Sequence, residues 1–139
     1  ACPTPGRFDV VRADPVVLID ACHNPQSVET FLTAVRDVEP EVARRPMLLC
    51  AVLADKDVRG IVELLAPEFP SVAVTQTSSP RALPARELAD IFAECGNSPV
   101  AVYGSVAEAT SALEDRSYVA CGSITTAGEV SGIVRGSDR

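Results

Sequence analysis

The stretch VVLIDACHNPQS, residues 16–27, decides the fold of this chain. Its first four residues are apolar, and a short continuous apolar run is typical of a β-strand covered on both faces. Asn24 and Pro25 follow, and these residue types suit a helix cap and the first helical turn. The stretch therefore predicts a buried strand that leads into a helix. Asp20 and His23, the only histidine of the chain, lie on the connection.

The same alternation of strand and helix continues along the rest of the chain. Residues 7–14 alternate between apolar and polar, which predicts a strand with one wet face. Its connection to the strand at 15–20 is so short that the two should form an antiparallel hairpin. The pattern predicts further strands at 47–53, 71–76, 99–104 and 117–123, and helices at 25–37, 55–67, 85–96, 105–115 and 124–136.

Five strand-to-helix steps indicate a mostly parallel sheet. We therefore expect an α/β, Rossmann-like fold, with six strands, helices on both faces and an N-terminal antiparallel hairpin. A length of 139 residues fits a single domain, 1–139. The first residue is not methionine, and we expect the chain to be part of a larger protein.

Composition excludes several classes of function. The net charge of −7 disfavours nucleic acid as a partner, and no apolar run approaches the ~20 residues of a membrane helix. The five cysteines are odd in number and have no C-x-x-C spacing, which disfavours a disulfide framework or a zinc site. Cys50 and Cys121 lie in apolar runs, so we expect reduced core residues and a cytoplasmic protein.

Polar residues follow the predicted strands at the edge where parallel sheets bind ligands. They are Asp20, His23 and Asn24; Asp55, Lys56 and Asp57; Ser78, Ser79 and Arg81; Gly104 and Ser105; and Gly122, Ser123, Thr125 and Thr126. Loops are polar in any protein, but three consecutive charges behind a buried strand favour a ligand role for the Asp-Lys-Asp run. A lone histidine is compatible with either a ligand contact or a structural hydrogen bond. Cys22 is compatible with a nucleophile or with a small residue in a tight turn.

Two phosphate-binding motifs are missing from the sequence. The chain contains no G-x-x-x-x-G-K-[ST] and no G-x-G-x-x-G after its first strand. With one histidine and no C-x-x-C, it also offers no metal cluster. The sequence therefore does not predict a complete enzyme.

Five segments resemble one protein family, in the same order and at fitting distances. They are PGRFDVV, LIDACHNPQS, VLADKD, SSPRALPARELA and CGSITTAGEV. They resemble the C-terminal domain of folylpolyglutamate synthase/dihydrofolate synthase, a branch of the Mur ligase superfamily. The resemblance covers nearly the whole chain.

The resemblance implies an ATP-dependent ligase of folate biosynthesis and one-carbon metabolism. In such an enzyme ATP phosphorylates a carboxylate of dihydropteroate or of a folate, and the amine of L-glutamate attacks the acyl phosphate. The P-loop and the Mg ligands belong to an N-terminal ATPase domain, which is absent from this chain and is its implied partner. The resemblance also implies that the domain is inactive alone and closes over ATP.

The resemblance assigns roles to individual residues. Arg7 matches the arginine that reaches the ATP phosphates, and Asp20 matches the aspartate that contacts the nucleotide. His23 matches the histidine near the glutamate and the reacting centre. Lys56 is placed near the nucleotide and Ser123 near the glutamate.

Two alternatives remain open from the sequence. One is a stand-alone small α/β module that binds a nucleotide or an anion without catalysis. The other is a structural or regulatory module that has lost its chemistry. An upstream P-loop in the same polypeptide would favour the ligase over both.

Overall fold

A computed structural model of the chain describes residues 7–137. Cys2, and the Pro5-Gly6 part of the PGRF segment, lie outside the described residues. The strands are β1 (Asp9–Ala13), β2 (Val16–Ile19), β3 (Met47–Cys50), β4 (Val72–Val74), β5 (Ala101–Val102) and β6 (Tyr118–Cys121). The α-helices are α1 (Pro25–Val38), α2 (Val58–Leu65), α3 (Ala85–Glu94), α4 (Val106–Ala112) and α5 (Ile124–Ser137). Two short 3₁₀ turns cover Val42–Arg44 and Ala66–Glu68.

The six strands form one mixed sheet in the order β1-β2-β6-β3-β4-β5. β1 pairs antiparallel with β2, and every other pairing is parallel. The predicted α/β fold and its N-terminal hairpin are therefore confirmed. β3, β4 and β5 follow one another toward one edge of the sheet, and the chain then returns to place β6 between β2 and β3. The order of the strands therefore reverses after β5, as in doubly wound folds.

The helices cover both faces of the sheet, as predicted. On one face α1, α2 and α3 pack over a core that includes Val28, Phe31, Leu48, Ile61, Leu65, Leu88 and Phe92. On the other face α4 and α5 pack over Val17, Ile19, Leu49, Val106, Tyr118 and Val130. Each α-helix buries one apolar stripe, which is the main source of stability for helices of this length.

The start of α1 confirms the interpretation of the opening stretch. The Asn24 side chain accepts a hydrogen bond from the Ser27 N–H at 2.7 Å, and the Ser27 hydroxyl accepts one from the Asn24 N–H at 3.1 Å. This reciprocal cap satisfies backbone groups that the first helical turn leaves free. It also fixes the direction in which the chain leaves β2.

β3 is shorter than the sequence pattern predicts, because the apolar run continues beyond the parallel ladder. The strand ends at Cys50, and the following residues pair instead with the loop after β4. Leu83 N–H donates to the Val52 carbonyl at 3.0 Å, and Leu53 forms an antiparallel bridge with Ala82. Val52 is fully buried at this junction, so its apolar character reflects burial and not strand structure.

Three cysteines lie together in the core, directly beneath the carboxyl edge of the sheet. Cys50 and Cys121 are register partners on β3 and β6, and Cys22 follows β2. All three are free and fully buried, which confirms the expectation for Cys50 and Cys121. Hydrogen bonds that Cys121 donates to the other two thiols, together with burial, raise its pKa well above the usual value, so this thiol stays protonated. None of the helices within residues 7–137 has the length and apolar character needed to cross a membrane.

Candidate functional site

The reversal in strand order creates a crevice at the carboxyl edge of the sheet. The ends of β2, β6, β3 and β4 follow one another along this edge. The chain leaves β2 toward α1 on one face and leaves β6 toward α5 on the other. Ligands of open α/β sheets bind at such a switch point, where the loops diverge.

A pocket of about 250 Å³ lies at this edge and is lined by polar or charged side chains from four loops that are neighbours along the edge. His23 follows β2, Ser123 follows β6, Lys56 follows β3 and Arg81 follows β4. Leu53, Ile124 and Thr125 complete the lining. The structure thus brings together three of the five predicted site residues, His23, Lys56 and Ser123.

His23 is held in place by its own turn. Its N–H donates to the Ser27 hydroxyl at 2.9 Å, and its Nδ1 lies 3.2 Å from the Ala21 carbonyl oxygen. A carbonyl oxygen only accepts, so this contact is a hydrogen bond when Nδ1 carries the proton. In the neutral ring Nε2 is then the acceptor, which leaves it available to a ligand.

Ser123 directly precedes α5, and its hydroxyl is engaged in hydrogen bonds at the start of that helix. Its hydroxyl oxygen accepts the Thr126 N–H at 3.0 Å and lies 2.7 Å from the Thr126 hydroxyl oxygen. Thr126 donates its own hydroxyl proton to the Ala51 carbonyl at 2.7 Å, so Ser123 is the donor to Thr126. Ser123 therefore shapes the pocket through the start of α5, where free N–H groups favour an anion.

The three side chains of the Asp-Lys-Asp run, Asp55, Lys56 and Asp57, lie in three different environments. Asp57 caps α2, because its carboxylate accepts the Gly60 N–H at 3.1 Å. Asp55 pairs with the Arg81 guanidinium at 3.0 Å. Lys56 lines the pocket. Asp57 therefore has a structural role, Lys56 faces the pocket, and Asp55 is connected to the pocket through Arg81.

Asp20 lies beneath the segment that carries Arg7. It is 4% exposed, and its two carboxylate oxygens accept the Phe8 N–H at 2.9 Å and the Cys22 N–H at 2.8 Å. Phe8 has a positive φ of 46°, and its ring packs 6.3 Å from that of Phe31. Arg7 is exposed beside this anchor, and its charge offsets part of the rise in the pKa of Asp20 that burial causes. Asp20 therefore fixes the backbone that presents Arg7.

The described residues show no metal-binding cluster. No three His, Cys, Asp or Glu side chains within residues 7–137 lie close enough together to hold an ion. The prediction that Mg ligands come mainly from another domain stays a prediction.

Comparison with known proteins places the chain in a family. Residues 6–123 match the family described as "Mur ligase, glutamate ligase domain". The chain belongs to the Mur ligase family. This Mur ligase domain is 41% identical over 90 residues to the dihydrofolate synthase/folylpolyglutamate synthase of Mycobacterium tuberculosis, a segment that covers 64% of the chain and 18% of that protein.

Solved structures agree with this family assignment. Mycobacterium tuberculosis folylpolyglutamate synthase complexed with ADP matches 95% of this Mur ligase domain and 32% of its own chain, with a TM-score of 0.80 and 33% identity. A bifunctional folylpolyglutamate synthase/dihydrofolate synthase with Mn, AMPPNP and L-glutamate bound matches 96% of the domain and 32% of its own chain, with a TM-score of 0.72 and 25% identity. The domain thus spans about a third of the length of these solved relatives.

The structure also reveals a contact of the Mur ligase domain that sequence reasoning missed. Glu129 of α5 accepts hydrogen bonds from the Ser78 hydroxyl at 2.7 Å and from the Ser78 N–H at 3.0 Å. The two residues are 51 positions apart, and no local pattern links them. The contact joins α5 to the loop that carries Arg81.

The burial of Asp20 predicts a pH dependence of stability. Burial raises the pKa of the Asp20 carboxyl above its usual value of 3.8, against the lowering effect of its N–H donors and of Arg7. The unfolded chain then loses this proton at lower pH than the folded chain. We expect the free energy of unfolding to fall, relative to Asp20→Asn, as pH rises from about 3.8, and to level off above the raised pKa. Urea titrations of both proteins between pH 3 and pH 7 measure the difference. If the free energy of unfolding of the wild type instead rose with pH relative to that of Asp20→Asn, the prediction would be wrong.

Proposed function

We propose that this domain forms one wall of the active site of an ATP-dependent ligase that adds L-glutamate to dihydropteroate, to folates or to both. The observation that carries the proposal is the pocket at the switch point, where His23, Lys56 and the start of α5 converge. Family membership and the L-glutamate bound by a solved relative support this substrate class.

The pocket suits an amino-acid carboxylate. Lys56 and Arg81 supply positive charge, and the first turn of α5 supplies free backbone N–H groups. The net charge of −7 makes a local cluster of this kind necessary for binding any anion. Lys56 lines the pocket with His23 and Ser123, and contact with the nucleotide, the role that the resemblance gives it, stays a prediction.

His23 can assist the attack of the glutamate amine on the acyl phosphate by accepting a proton. The amine nitrogen of glutamate forms a bond to the acyl carbon, the bond from that carbon to the phosphate oxygen breaks, and phosphate leaves with the electron pair. The attacking nitrogen must lose a proton, and Nε2 of neutral His23 can accept it. Asp20 contributes by fixing the turn before His23 and by anchoring Phe8.

Binding of the nucleotide requires residues from a second domain as well as from this one. Arg7 is exposed beside Asp20, and its forked guanidinium suits phosphate oxygens. A P-loop and Mg ligands would come from an N-terminal domain of the same polypeptide, since the family relatives with bound ADP are about three times longer. Closure of the two domains assembles the site only when ligands are present. We place this reaction in the cytoplasm.

The proposal predicts that activity requires the partner domain. We expect the intact polypeptide to release ADP only when L-glutamate and dihydropteroate or a folate are both present. Purified residues 1–139 alone should release no ADP above the buffer rate, because they lack a P-loop. A coupled ADP assay measures both. Robust ATP turnover by the isolated chain would contradict the proposal, and tight nucleotide binding by the isolated chain without turnover would support the stand-alone module instead. Comparing dihydropteroate with tetrahydrofolate identifies the acyl donor, the carboxylate to which glutamate is joined.

A further inference from the structure

The loops after β3 and β6 form two neighbouring sides of the pocket, and they are joined at Ala51. The Ala51 N–H donates to the Cys121 carbonyl at 3.2 Å, and the Thr126 hydroxyl donates to the Ala51 carbonyl at 2.7 Å. Ala51 and Thr126 are both 0% exposed, so bulk water does not compete for these bonds. The loop that carries Lys56 is therefore tied to the first turn of α5.

Packing alone does not account for a threonine at position 126. The side chain lies in the interior, where an unpaired hydroxyl is costly and a valine of nearly the same shape carries no such cost. In α4 the hydroxyl of Thr110, another buried threonine, donates to a carbonyl of its own helix, that of Val106, at 3.0 Å. The hydroxyl of Thr126 instead reaches Ala51, which is 75 positions away in the loop after β3. Its hydrogen bond therefore joins two separate elements of the fold.

The order of the hydrogen bonds fixes the Ser123 hydroxyl as well. Because a carbonyl oxygen only accepts, the Thr126 hydroxyl proton is committed to Ala51, and the Thr126 oxygen accepts the Ser123 proton over an O···O distance of 2.7 Å. The Thr126 N–H in turn donates to the Ser123 oxygen at 3.0 Å. Ser123 therefore has a single hydroxyl orientation and no proton to offer to the pocket.

Thr126 acts on the pocket without lining it. Residues 123–125, which directly precede it, line the pocket. Gly122 lies against the same Ala51 carbonyl, since a Cβ atom on this glycine would be 2.1 Å from the carbonyl oxygen. The position of residues 123–125 relative to the loop after β3 thus depends on contacts with a single carbonyl group.

We propose that Thr126 is a positioning residue for the ligase reaction, which holds Ser123 and the first turn of α5 in a fixed place relative to the loop that carries Lys56. This inference rests on the proposed function and adds a residue to which the resemblance assigns no role. Loss of the Thr126 hydroxyl frees Ser123 to rotate and removes one bond between two sides of the pocket. Part of the free energy of ligand binding is then used to order the pocket.

The test is the steady-state kinetics of the Thr126→Val variant of the intact enzyme. Valine keeps the shape of the side chain and removes only the hydroxyl. We expect the KM for L-glutamate to rise by roughly tenfold, the equivalent of one lost hydrogen bond. The kcat at saturating L-glutamate should change by less than about twofold, because His23 lies on a different loop, after β2.

Two further variants distinguish positioning from a general loss of stability. Thr126→Ser keeps a hydroxyl that can make the same two bonds, and it should bring the KM for L-glutamate to within about twofold of the wild-type value. Thr110→Val is the matched control, since it removes a buried threonine hydroxyl from α4, outside the pocket. It should change neither kinetic constant, whatever loss of stability urea denaturation shows. If Thr126→Val does not fold, Thr126→Ala removes the same hydroxyl with less bulk, and the same rise in KM is expected.

The outcomes separate this inference from the proposed function. If the wild-type enzyme ligates L-glutamate and the variant without the Thr126 hydroxyl has an unchanged KM, the positioning role is refuted and the proposed function stands. A fall in kcat alone, or an equal rise in KM in Thr110→Val, would show a merely structural effect and would also overturn the inference. An intact wild-type enzyme that ligates no L-glutamate would refute the proposed function itself.

Discussion

Replacement of Gly122 with alanine is expected to lower the free energy of unfolding by about 4 kcal/mol, combining backbone strain with a steric clash. Gly122 connects β6 to α5 with a φ of +125°, a conformation that side chains rarely adopt. A Cβ atom there would lie 2.1 Å from the Ala51 carbonyl oxygen and 3.1 Å from Val52 Cγ1. Both neighbours belong to the buried loop after β3. Urea denaturation of the purified variant and wild-type chains measures the loss.

Gly128→Ala is the matched control for this prediction. Gly128 lies within α5, and an added Cβ would meet no heavy atom within 4 Å. Alanine in a helix interior is more favourable than glycine by roughly 0.5–1 kcal/mol, so this variant should be slightly more stable than the wild type. A Gly122→Ala variant within 1 kcal/mol of the wild type would show that the chain after β6 relaxes freely. The close approach of the start of α5 to Ala51 would then not constrain the shape of the pocket.

The Ala51 carbonyl links Gly122 to the start of α5 at the pocket. The Thr126 hydroxyl donates to this carbonyl at 2.7 Å and thereby orders the Ser123 cap. A displacement of Ala51 by an added Cβ would disturb the start of α5. The stability of the core and the shape of the pocket therefore depend on one close backbone approach.

Local signals account for the parts of the fold that the sequence predicts well. The cap formed by Asn24 and Ser27, the short connection of the hairpin and the apolar runs of β2 and β6 each involve neighbours along the chain. The alternation of such elements is enough to indicate a doubly wound sheet. The same signals predict that polar loops gather at one edge.

Contacts between distant residues account for what the sequence does not predict. The resemblance assigns Lys56, like Arg7 and Asp20, to the nucleotide, and this assignment stays a prediction. What the sequence does not predict is that the fold sets Lys56 in one pocket with His23. That neighbourhood results from the insertion of β6 between β2 and β3, which no local pattern specifies. The Glu129–Ser78 contact spans 51 positions and the Thr126–Ala51 contact spans 75. Each depends on the packing of complete elements.

Under the proposed function, the largest effect on activity is expected from His23→Ala in the intact enzyme. Loss of a positioned proton acceptor should lower kcat by about 10²- to 10⁴-fold, with little change in the KM for ATP. The physical reason is that Nε2 would no longer take the proton from the attacking amine, while Arg7 and the nucleotide side of the site remain in place. Steady-state amide formation at saturating ATP and L-glutamate measures kcat. Added imidazole should restore part of it, because the cavity left by the side chain can admit a free base.

Asn24→Ala separates the chemistry of His23 from the structure of its turn. It removes the carbonyl oxygen that caps α1 and should cost roughly 1 kcal/mol of stability, while the imidazole stays in the pocket. Because the Ser27 hydroxyl still accepts the His23 N–H, kcat should fall far less than in His23→Ala. If His23→Ala raised only the KM for L-glutamate and kept kcat, the imidazole would bind the amino acid without accepting its proton. The reaction would then depend on another base, and the role of the turn after β2 would be reduced to ligand binding.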